Sequence, residues 1–169
     1  EIKTVNGKKD LDAFIKFHTD LYKDSPTDIP HLYMDERDTL TKGKNPSLDF
    51  CEAEYYLAYR DGKVVGRVAA IINSRANEEW NQKSVRFGWF DFIDDIEVSR
   101  ALMERVEAYG KERGMEYLIG PLGFTDMDRE GMLVEGFEKR SMFITYYCHP
   151  YYVEFLERYG FEKEVDWVE

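Results

Sequence analysis

The chain has few residues of the kinds that carry metal, redox or covalent chemistry. Its 169 residues include two cysteines and three histidines. Cys51 and Cys148 lie far apart, in neither a C-x-x-C pair nor a zinc-ligand spacing, so neither a disulfide framework nor a zinc site is indicated. Since His18, His31 and His149 fall in separate predicted elements, we expect no metal site.

Long apolar runs and an excess of positive charge are also missing. No segment approaches the roughly 18 apolar residues of a membrane span, and no signal-peptide core opens the sequence. We therefore expect a cytoplasmic protein without a membrane partner. Acidic residues number 34 against 23 basic ones, a formal net charge of −11, which disfavours nucleic acid. The expected partner is a small molecule, and homodimerisation is left open.

What is present is the composition of an ordinary globular domain. Hydrophobic residues make up 43% of the chain and aromatic residues 15%, which excludes a disordered polypeptide. The length suits one domain, so we predict a single domain over residues 1–169. Because the sequence opens on Glu1 rather than on methionine, this domain is also compatible with the N-terminal part of a longer protein.

The spacing of apolar residues predicts an α/β order. Asp61-Gly62 between two β-rich runs is a strong hairpin signal, and Arg113-Gly114 ends a long amphipathic pattern. The predicted elements are a strand at 2–5, helices at 10–22 and 35–42, a hairpin within 53–73, a polar linker at 76–83, a strand at 84–93, a helix at 96–114, a strand at 117–120, a strand at 141–148, a helix at 150–159 and a strand at 160–168.

The most informative stretch is residues 87–103, an apolar strand that runs through acidic residues into the long helix. Backbone N–H groups at a helix N-terminus favour anions. The turn lacks glycine and contains Asp94, Asp95 and Glu97, which favour the same positive helix end. At roughly 5 Å and an effective dielectric near 20, each contact with a phosphate would cost on the order of 3 kcal/mol. These acids would therefore compete with a bound phosphate.

Asp91, on the aromatic strand, has two interpretations. As a carboxylate base, it would deprotonate an attacking amine directly or through water. As a partner of Arg86 or Lys83 on an exposed edge, it would have no catalytic role, and this is the commoner situation.

The start of the long helix has two interpretations as well. Ser99 and Arg100 could bind phosphate in place of the missing glycines. The commoner alternative is a surface serine and an arginine paired with Glu97 or Glu104.

The loop at 121–138 is long and carries three glycines, which is typical of functional connections. Asp126, Asp128, Glu130 and Glu135 make it rich in carboxylates. Their spacing is not that of a calcium loop, so a solvated acidic loop is favoured over a cation site. The acids would equally suit a cationic amine substrate.

The element order, the hairpin, the 87–114 strand and helix, and the segment Phe155-Leu156-Glu157-Arg158-Tyr159-Gly160-Phe161 resemble the GNAT superfamily of acyl-CoA N-acetyltransferases. Residues 120–137 and 149–152 resemble a less studied bacterial branch. The resemblance implies an α/β fold with a central mixed, mostly antiparallel sheet and helices on both faces. It also implies acyl transfer from acetyl-CoA or another acyl-CoA to an amine.

The same resemblance implies roles for individual residues. Asp91 would be the base. The family's general-acid tyrosine is replaced by Leu156 here, so Tyr152, one helical turn earlier, would be the acid. Asp126, Asp128 and Glu135 would meet the acceptor. The donor would lie against Phe92, Ile93, Asp94, Val98, Ser99 and Arg100. Since the family's phosphate-binding glycines are missing, the alternative is a non-catalytic GNAT-like domain that binds a ligand or a partner.

Overall fold

A five-stranded sheet organises the chain in the computed structural model, which describes residues 1–168. The strands are β1 (Ile2–Thr4), β2 (Cys51–Arg60), β3 (Lys63–Asn73), β4 (Ser84–Phe92) and β5 (Tyr117–Ile119). The helices are α1 (Gly7–Leu21), α2 (Tyr33–Thr39), α3 (Ser74–Glu79), α4 (Ile96–Glu112) and α5 (Tyr151–Tyr159), with a 3₁₀ helix at Pro46–Asp49.

The strands lie in the order β1-β2-β3-β4-β5, and only the β4–β5 pairing is parallel. The predicted hairpin is confirmed. Asp61 and Gly62 have φ values of 51° and 76°, and Arg60 pairs with Lys63. Two consecutive positive φ angles match the two-residue turns that suit the strand twist.

Helices cover both faces of the sheet, as predicted. On one face, Val98, Leu102 and Val106 of α4 pack in a cluster with Phe87 and Phe92 of β4. A second cluster lies under α1; its members include Phe14, Ile15, Leu57, Ile71 and Trp89. The predicted α/β class, with a mixed and mostly antiparallel sheet, is therefore confirmed.

A β-bulge in β4 decides which way Asp91 faces. Asp91 pairs with Arg67 whereas Gly88 pairs with Ala69, so β4 contains one residue more than β3 in this interval. Trp89, with a φ of 46°, lies in the bulge. In a regular strand Phe87 and Asp91 would share a face, because side chains alternate. The bulge instead leaves Phe87 in the α4 cluster and turns Asp91 towards α1.

The left-handed backbone of Trp89 is strained, at a cost of about 1–3 kcal/mol for a bulky residue. Its indole Nε1 donates a 2.6 Å hydrogen bond to Oε2 of Glu36, and its side chain is buried. These contacts hold the bulge in place.

Two predicted strands are wrong. Within residues 1–168, neither 141–148 nor 160–168 pairs with another strand. Tyr147 and Cys148 are buried by side-chain packing instead, and Phe161 packs on the Phe87 ring at 5.2 Å. Apolar side chains in both segments thus imitate a strand pattern, although neither segment pairs with the sheet.

Smaller differences concern element bounds. The short helix α3, whose first turn is capped by the Asn73 side chain, begins at Ser74 and overlaps the predicted polar linker at 76–83, in which the sequence allows one helical turn. The helix predicted to begin at residue 10 begins at Gly7, and a 3₁₀ helix follows Asn45. Among the helices of residues 1–168, none combines the length and apolar character needed to cross a bilayer.

Candidate functional site

The sheet face beneath α1 holds a buried ion pair. Arg67 and Asp91 are opposite each other on β3 and β4, and both are 0% exposed. Nε of Arg67 donates to Oδ2 of Asp91 at 2.7 Å. Nη2 lies 2.7 Å from the same oxygen without hydrogen-bond geometry, and Nη1 donates to the Phe14 carbonyl at 2.9 Å. Burial alone would raise the pKa of Asp91, but the charges of Arg67 and His18 hold it well below its usual range.

His18 bridges two buried carboxylates. Its Nδ1 lies 3.1 Å from Oδ2 of Asp91, and its Nε2 lies 3.3 Å from Oδ1 of Asp28. Burial alone would lower the pKa of His18; the Asp91 charge and the hydrogen bonds to Asp28 and Asp91 outweigh it and raise the pKa. The protonated ring can donate from both nitrogens.

Two tyrosines extend the network towards α5. The Tyr22 hydroxyl donates to the Tyr152 hydroxyl at 2.9 Å, and the Phe92 backbone N–H donates to it at 3.0 Å. The Tyr152 hydroxyl in turn lies 3.4 Å from Oδ1 of Asp91. Burial, reinforced by the Asp91 charge, raises the pKa of both tyrosines well above the ordinary value. Both hydroxyls are therefore protonated at neutral pH.

Glu36 of α2 is the centre of a neighbouring cluster. It accepts hydrogen bonds from Trp89 and from Nη1 of Arg129, at 2.6 and 2.9 Å. Nδ1 of His31 lies 3.4 Å from its Oε1, out of line for a hydrogen bond. Burial alone would raise the pKa of Glu36, but His31, Arg67 and Trp89 lower it to about 2. The His31 ring stacks on His18 at 4.4 Å, so the two clusters are continuous.

Tyr146 contributes a polar atom that this network does not use. Its buried Oη has no hydrogen-bond partner within residues 1–168. Its ring lies 6.3 Å from that of His18 and 6.4 Å from that of His31. An unpaired buried hydroxyl costs about 1–3 kcal/mol, so this position suits a polar group of a bound molecule.

His149 lies at the partly exposed edge of the network. Its ring stacks on Tyr22 at 4.7 Å and on Tyr151 at 5.2 Å. Burial lowers the pKa of His149, so the imidazole is neutral near pH 7 and can accept a proton. All three histidines of the chain thus belong to one continuous site.

The turn between β4 and α4 offers few free backbone donors. The Asp95 side chain accepts from the N–H groups of Glu97 and Val98, at 3.0 and 3.4 Å, and is paired with Arg60. The Phe92 N–H is bound to Tyr152, and the Ile93 N–H to the Val65 carbonyl at 3.0 Å. The Asp95 carboxylate therefore occupies the N-terminus of α4, which is the position where a donor phosphate would bind.

The six predicted donor-site residues differ in accessibility. Phe92, Val98 and Ser99 are buried, Ile93 is partly buried, and Asp94 and Arg100 are exposed. Nη1 of Arg100 lies 3.6 Å from Glu97, as the alternative interpretation of Arg100 expected. Ser99 is 1% exposed, so the surface position considered for it is wrong. Their roles towards a donor stay predictions.

The predicted acceptor residues do not gather around Asp91. Asp126 and Glu135 are exposed, and Oδ2 of Asp128 accepts from the Thr125 N–H at 3.0 Å. From the same loop, Arg129 reaches the network through Glu36. Within residues 1–168, no cluster of three or more histidine, cysteine or acidic side chains could hold a metal ion.

Sequence reasoning found Asp91 and Tyr152 but not most of their partners. The exposed partners considered for Asp91, Arg86 and Lys83, are wrong: Arg86 contacts loop carbonyls and Lys83 binds Glu116. One signal for the true partner was available, since Arg67 is the only charged residue between Val64 and Ile72. The side chains that were missed as site residues are Tyr22, Asp28, Glu36, Arg67, Arg129 and the three histidines.

Two curated bacterial proteins are similar in sequence. Protein YghO of Escherichia coli (strain K12) is 33% identical over 165 residues, covering 98% of this chain and 42% of that protein. A bacterial ceramide synthase of Caulobacter vibrioides is 29% identical over 163 residues, covering 96% of this chain and 42% of that protein. The chain therefore spans less than half the length of each. No protein-family model matches the sequence.

Solved structures with the same architecture are acetyltransferases. A protein described as a candidate acetyl transferase from Pyrococcus furiosus has a TM-score of 0.55 and 14% identity, over 100% of this chain and 98% of that one. An aminoglycoside acetyltransferase from an uncultured soil metagenomic sample, in complex with trehalose, has a TM-score of 0.53 and 10% identity, over 100% and 94% of the two chains. At these identities the likeness concerns the fold, and this chain has the GNAT-like acetyltransferase fold that its sequence resemblance predicted.

Proposed function

We propose that this domain transfers an acyl group from an acyl-CoA, or a related thioester, to an amine. The observation that carries the proposal is the buried Arg67–Asp91 pair, which connects through Tyr152 and Tyr22 to the partly exposed His149. Perturbed titratable groups that converge in this way are typical of catalytic sites. The fold supports the reaction class, while the residues must supply the chemistry.

His149 is the proposed base. As the new C–N bond forms, the nitrogen of the attacking amine must lose a proton, and a neutral imidazole at the edge of the site can accept it. Asp91 is poorly suited to this step, because its pairing with Arg67 and His18 lowers its pKa far below neutrality. We therefore assign Asp91 a positioning role, through its contacts with Tyr152 and His18.

Tyr152 keeps its predicted role as the acid. As the C–S bond breaks, its hydroxyl would give a proton to the departing thiolate. The Tyr22 hydroxyl donates to the Tyr152 oxygen at 2.9 Å and can replace that proton. The proton that His149 took from the amine would then return to Tyr22, whose ring stacks on that of His149, so that both groups regain their starting protonation states. Phe92 fixes the Tyr152 hydroxyl through its backbone N–H.

The donor supplies the acyl group as a thioester. The predicted donor residues of the β4–α4 turn would line its site, with Arg60 and Arg100 as the nearby cations. Because Asp95 already caps α4, no catalytic step is assigned to a phosphate cradle at this turn. Use of acyl-CoA accords with a cytoplasmic location, which is part of the proposal.

The acceptor is proposed to be an amine that arrives as its ammonium cation, attracted by the exposed Asp126 and Glu135, with Asp128 in the same loop. It releases this first proton to solvent, and the neutral nitrogen then attacks and gives its second proton to His149. One relative of this chain is named a bacterial ceramide synthase. A ceramide is the N-acyl derivative of a long-chain amino alcohol. A sphingoid base is therefore the first acceptor to assay, followed by short amines.

A second candidate function is a non-catalytic domain that binds a ligand or a partner. The Asp95 cap on α4 favours it, because that carboxylate competes with a donor phosphate. Thermal unfolding with acetyl-CoA and with longer acyl-CoAs separates the two functions. We expect acyl-CoA to raise the Tm, since a ligand that binds only the folded state stabilises it. A Tm unchanged by every acyl-CoA would favour the non-catalytic domain.

A further inference from the structure

A groove of about 650 Å³ lies between the start of α1, α2 and the loop after α2. Its lining is mixed, with apolar side chains such as Leu11 and Met34 as well as cationic ones. A second depression of about 480 Å³ continues over α1. We call the two together the basic groove; its cations are Lys8, Lys9, Lys16, Arg37, Lys42 and Lys44.

The basic groove has the opposite charge to the rest of the protein. Its six cations face two lining carboxylates, Asp12 and Asp38, a local excess of four positive charges on a chain of net charge −11. None of the six forms an ion pair with a carboxylate within residues 1–168. Clustered like charges repel one another, so this surface is suited to an anionic partner.

The arrangement of the cations indicates an extended partner rather than one small anion. Lys8 and Lys16 are eight residues apart on α1, about 12 Å along the helix axis. Lys42 and Lys44 lie on a separate loop after α2. Met34, which lines the groove, is 75% exposed. Distributed lysines beside an exposed apolar side chain are typical of contact with a bilayer interface.

The basic groove also adjoins the buried network. α2 presents Met34 and Arg37 to the groove, while Glu36 on the same helix binds Trp89 and Arg129. A single helix therefore separates the two.

We propose that the basic groove is a peripheral contact site for an anionic phospholipid surface. This contact needs no membrane-spanning segment, and it revises the expectation that the protein has no membrane partner. The proposal stands independently of acyl transfer, because it rests on the charge and shape of this surface alone.

Vesicle co-sedimentation tests the proposal. Vesicles of phosphatidylcholine alone are compared with vesicles that also contain phosphatidylglycerol, at low and at high salt and without acyl donor. We expect binding only to the vesicles with phosphatidylglycerol, and loss of binding at high salt. Each lysine near an anionic bilayer contributes about fivefold, which corresponds to about 1 kcal/mol. The triple variant Lys8→Ala, Lys42→Ala, Lys44→Ala should therefore bind about a hundredfold more weakly.

The matched control is the triple variant Lys23→Ala, Lys63→Ala, Lys139→Ala. These lysines are also exposed and lie outside the groove, and both triples have the same net charge. Circular dichroism confirms that each variant is folded, and the control should bind vesicles as the wild type does. Equal losses in the two triples, or equal binding to neutral vesicles, would overturn the proposal. So would no binding at all, or displacement of the protein by free coenzyme A, which would assign the groove to a soluble anion.

Discussion

Arg67 and Asp91 face each other across β3 and β4, with their charged groups 2.7 Å apart and no exposure to solvent. Removing one member of such a pair leaves the other as a buried charge without compensation. This costs far more than the pair itself contributes. The stability of the fold therefore depends on the same carboxylate that organises the proposed site.

Asp91→Asn should lower the free energy of unfolding by about 3–5 kcal/mol, because Arg67 loses its countercharge. Urea denaturation measures the loss. The control is Asp94→Asn, which alters an exposed carboxylate three residues away and should change stability by less than about 0.5 kcal/mol. If the two variants are equally stable, Arg67 has no buried ionic partner at Asp91.

His18 should make stability fall as the pH rises. Its pKa is raised in the folded state, so the folded protein holds this proton more tightly than the unfolded chain. The stabilisation is complete below the unfolded pKa of about 6.5 and is lost as the pH passes through the folded value. The stability of His18→Gln should decline less than that of the wild type from neutral to moderately alkaline pH. Parallel pH profiles would contradict the bridging role of His18.

Glu36 should have the opposite effect, on the acid side. Its pKa falls from 4.5 to about 2, so its stabilisation is present above pH 4.5 and is lost as the pH drops towards 2. Linkage puts the loss at about 3 kcal/mol. Glu36→Gln should flatten this part of the stability profile, whereas Glu157→Gln, an exposed control, should leave it unchanged. Equal acid sensitivity in all three proteins would exclude Glu36 as the cause.

The sequence predicts this fold best where the signals are local. The turn at Asp61-Gly62 and the apolar repeat of Val98, Leu102 and Val106 each determine their own element, so the hairpin and α4 match the structure closely. The strand predicted at 141–148 fails for the converse reason. The segment does contain apolar residues, but a strand also has to pair with a neighbouring strand. The local sequence does not show whether that pairing forms.

The site was less predictable because the bulge at Trp89 controls it. The energy that offsets the strained backbone comes partly from Glu36, which is 53 residues away in the sequence. Without the bulge, simple alternation would direct Asp91 into the α4 core. Its partners Arg67 and His18 are likewise assembled by tertiary packing. The sequence therefore identifies the types of residue at the site, but it does not predict that the fold brings them together.

Asp95→Asn should strengthen the binding of coenzyme A by about tenfold, because it removes a charge that competes at the N-terminus of α4. The asparagine side chain can still accept the capping hydrogen bonds, so helix stability should change little. Titration calorimetry measures the affinity, and Glu104→Gln on the exposed side of α4 is the charge-matched control. Unchanged affinity in Asp95→Asn would place the donor phosphates away from this turn.

His149→Gln and Tyr152→Phe should each lower kcat at least about tenfold, since they remove the proposed base and acid. The exposed Tyr117→Phe is the control and should have wild-type activity. Because the pKa of His149 is lowered, the wild-type rate should rise through a pKa below 6.5, and His149→Gln should lose that limb. An unchanged rate and pH profile in His149→Gln would remove it from the mechanism.

Asp91→Asn should also slow turnover at least about tenfold, by releasing Tyr152 and His18 from their positions. Its effect should differ in kind from that of His149→Gln, because Asp91 does not accept the amine proton in this account. The acid limb of the rate profile should therefore persist in the residual activity. Loss of that limb in Asp91→Asn would restore Asp91 as the base.

Acyl transfer itself is tested most directly by incubating the protein with a long-chain acyl-CoA and a sphingoid base, with a thiol reagent to detect free coenzyme A. Short acyl-CoAs and short amines extend the panel. The account predicts thiol release that requires both substrates, one N-acylated amine per thiol by mass spectrometry, and loss of both products in His149→Gln. The account would be contradicted if the thiol were released equally with and without the amine, or if no combination of acyl-CoA and amine released it.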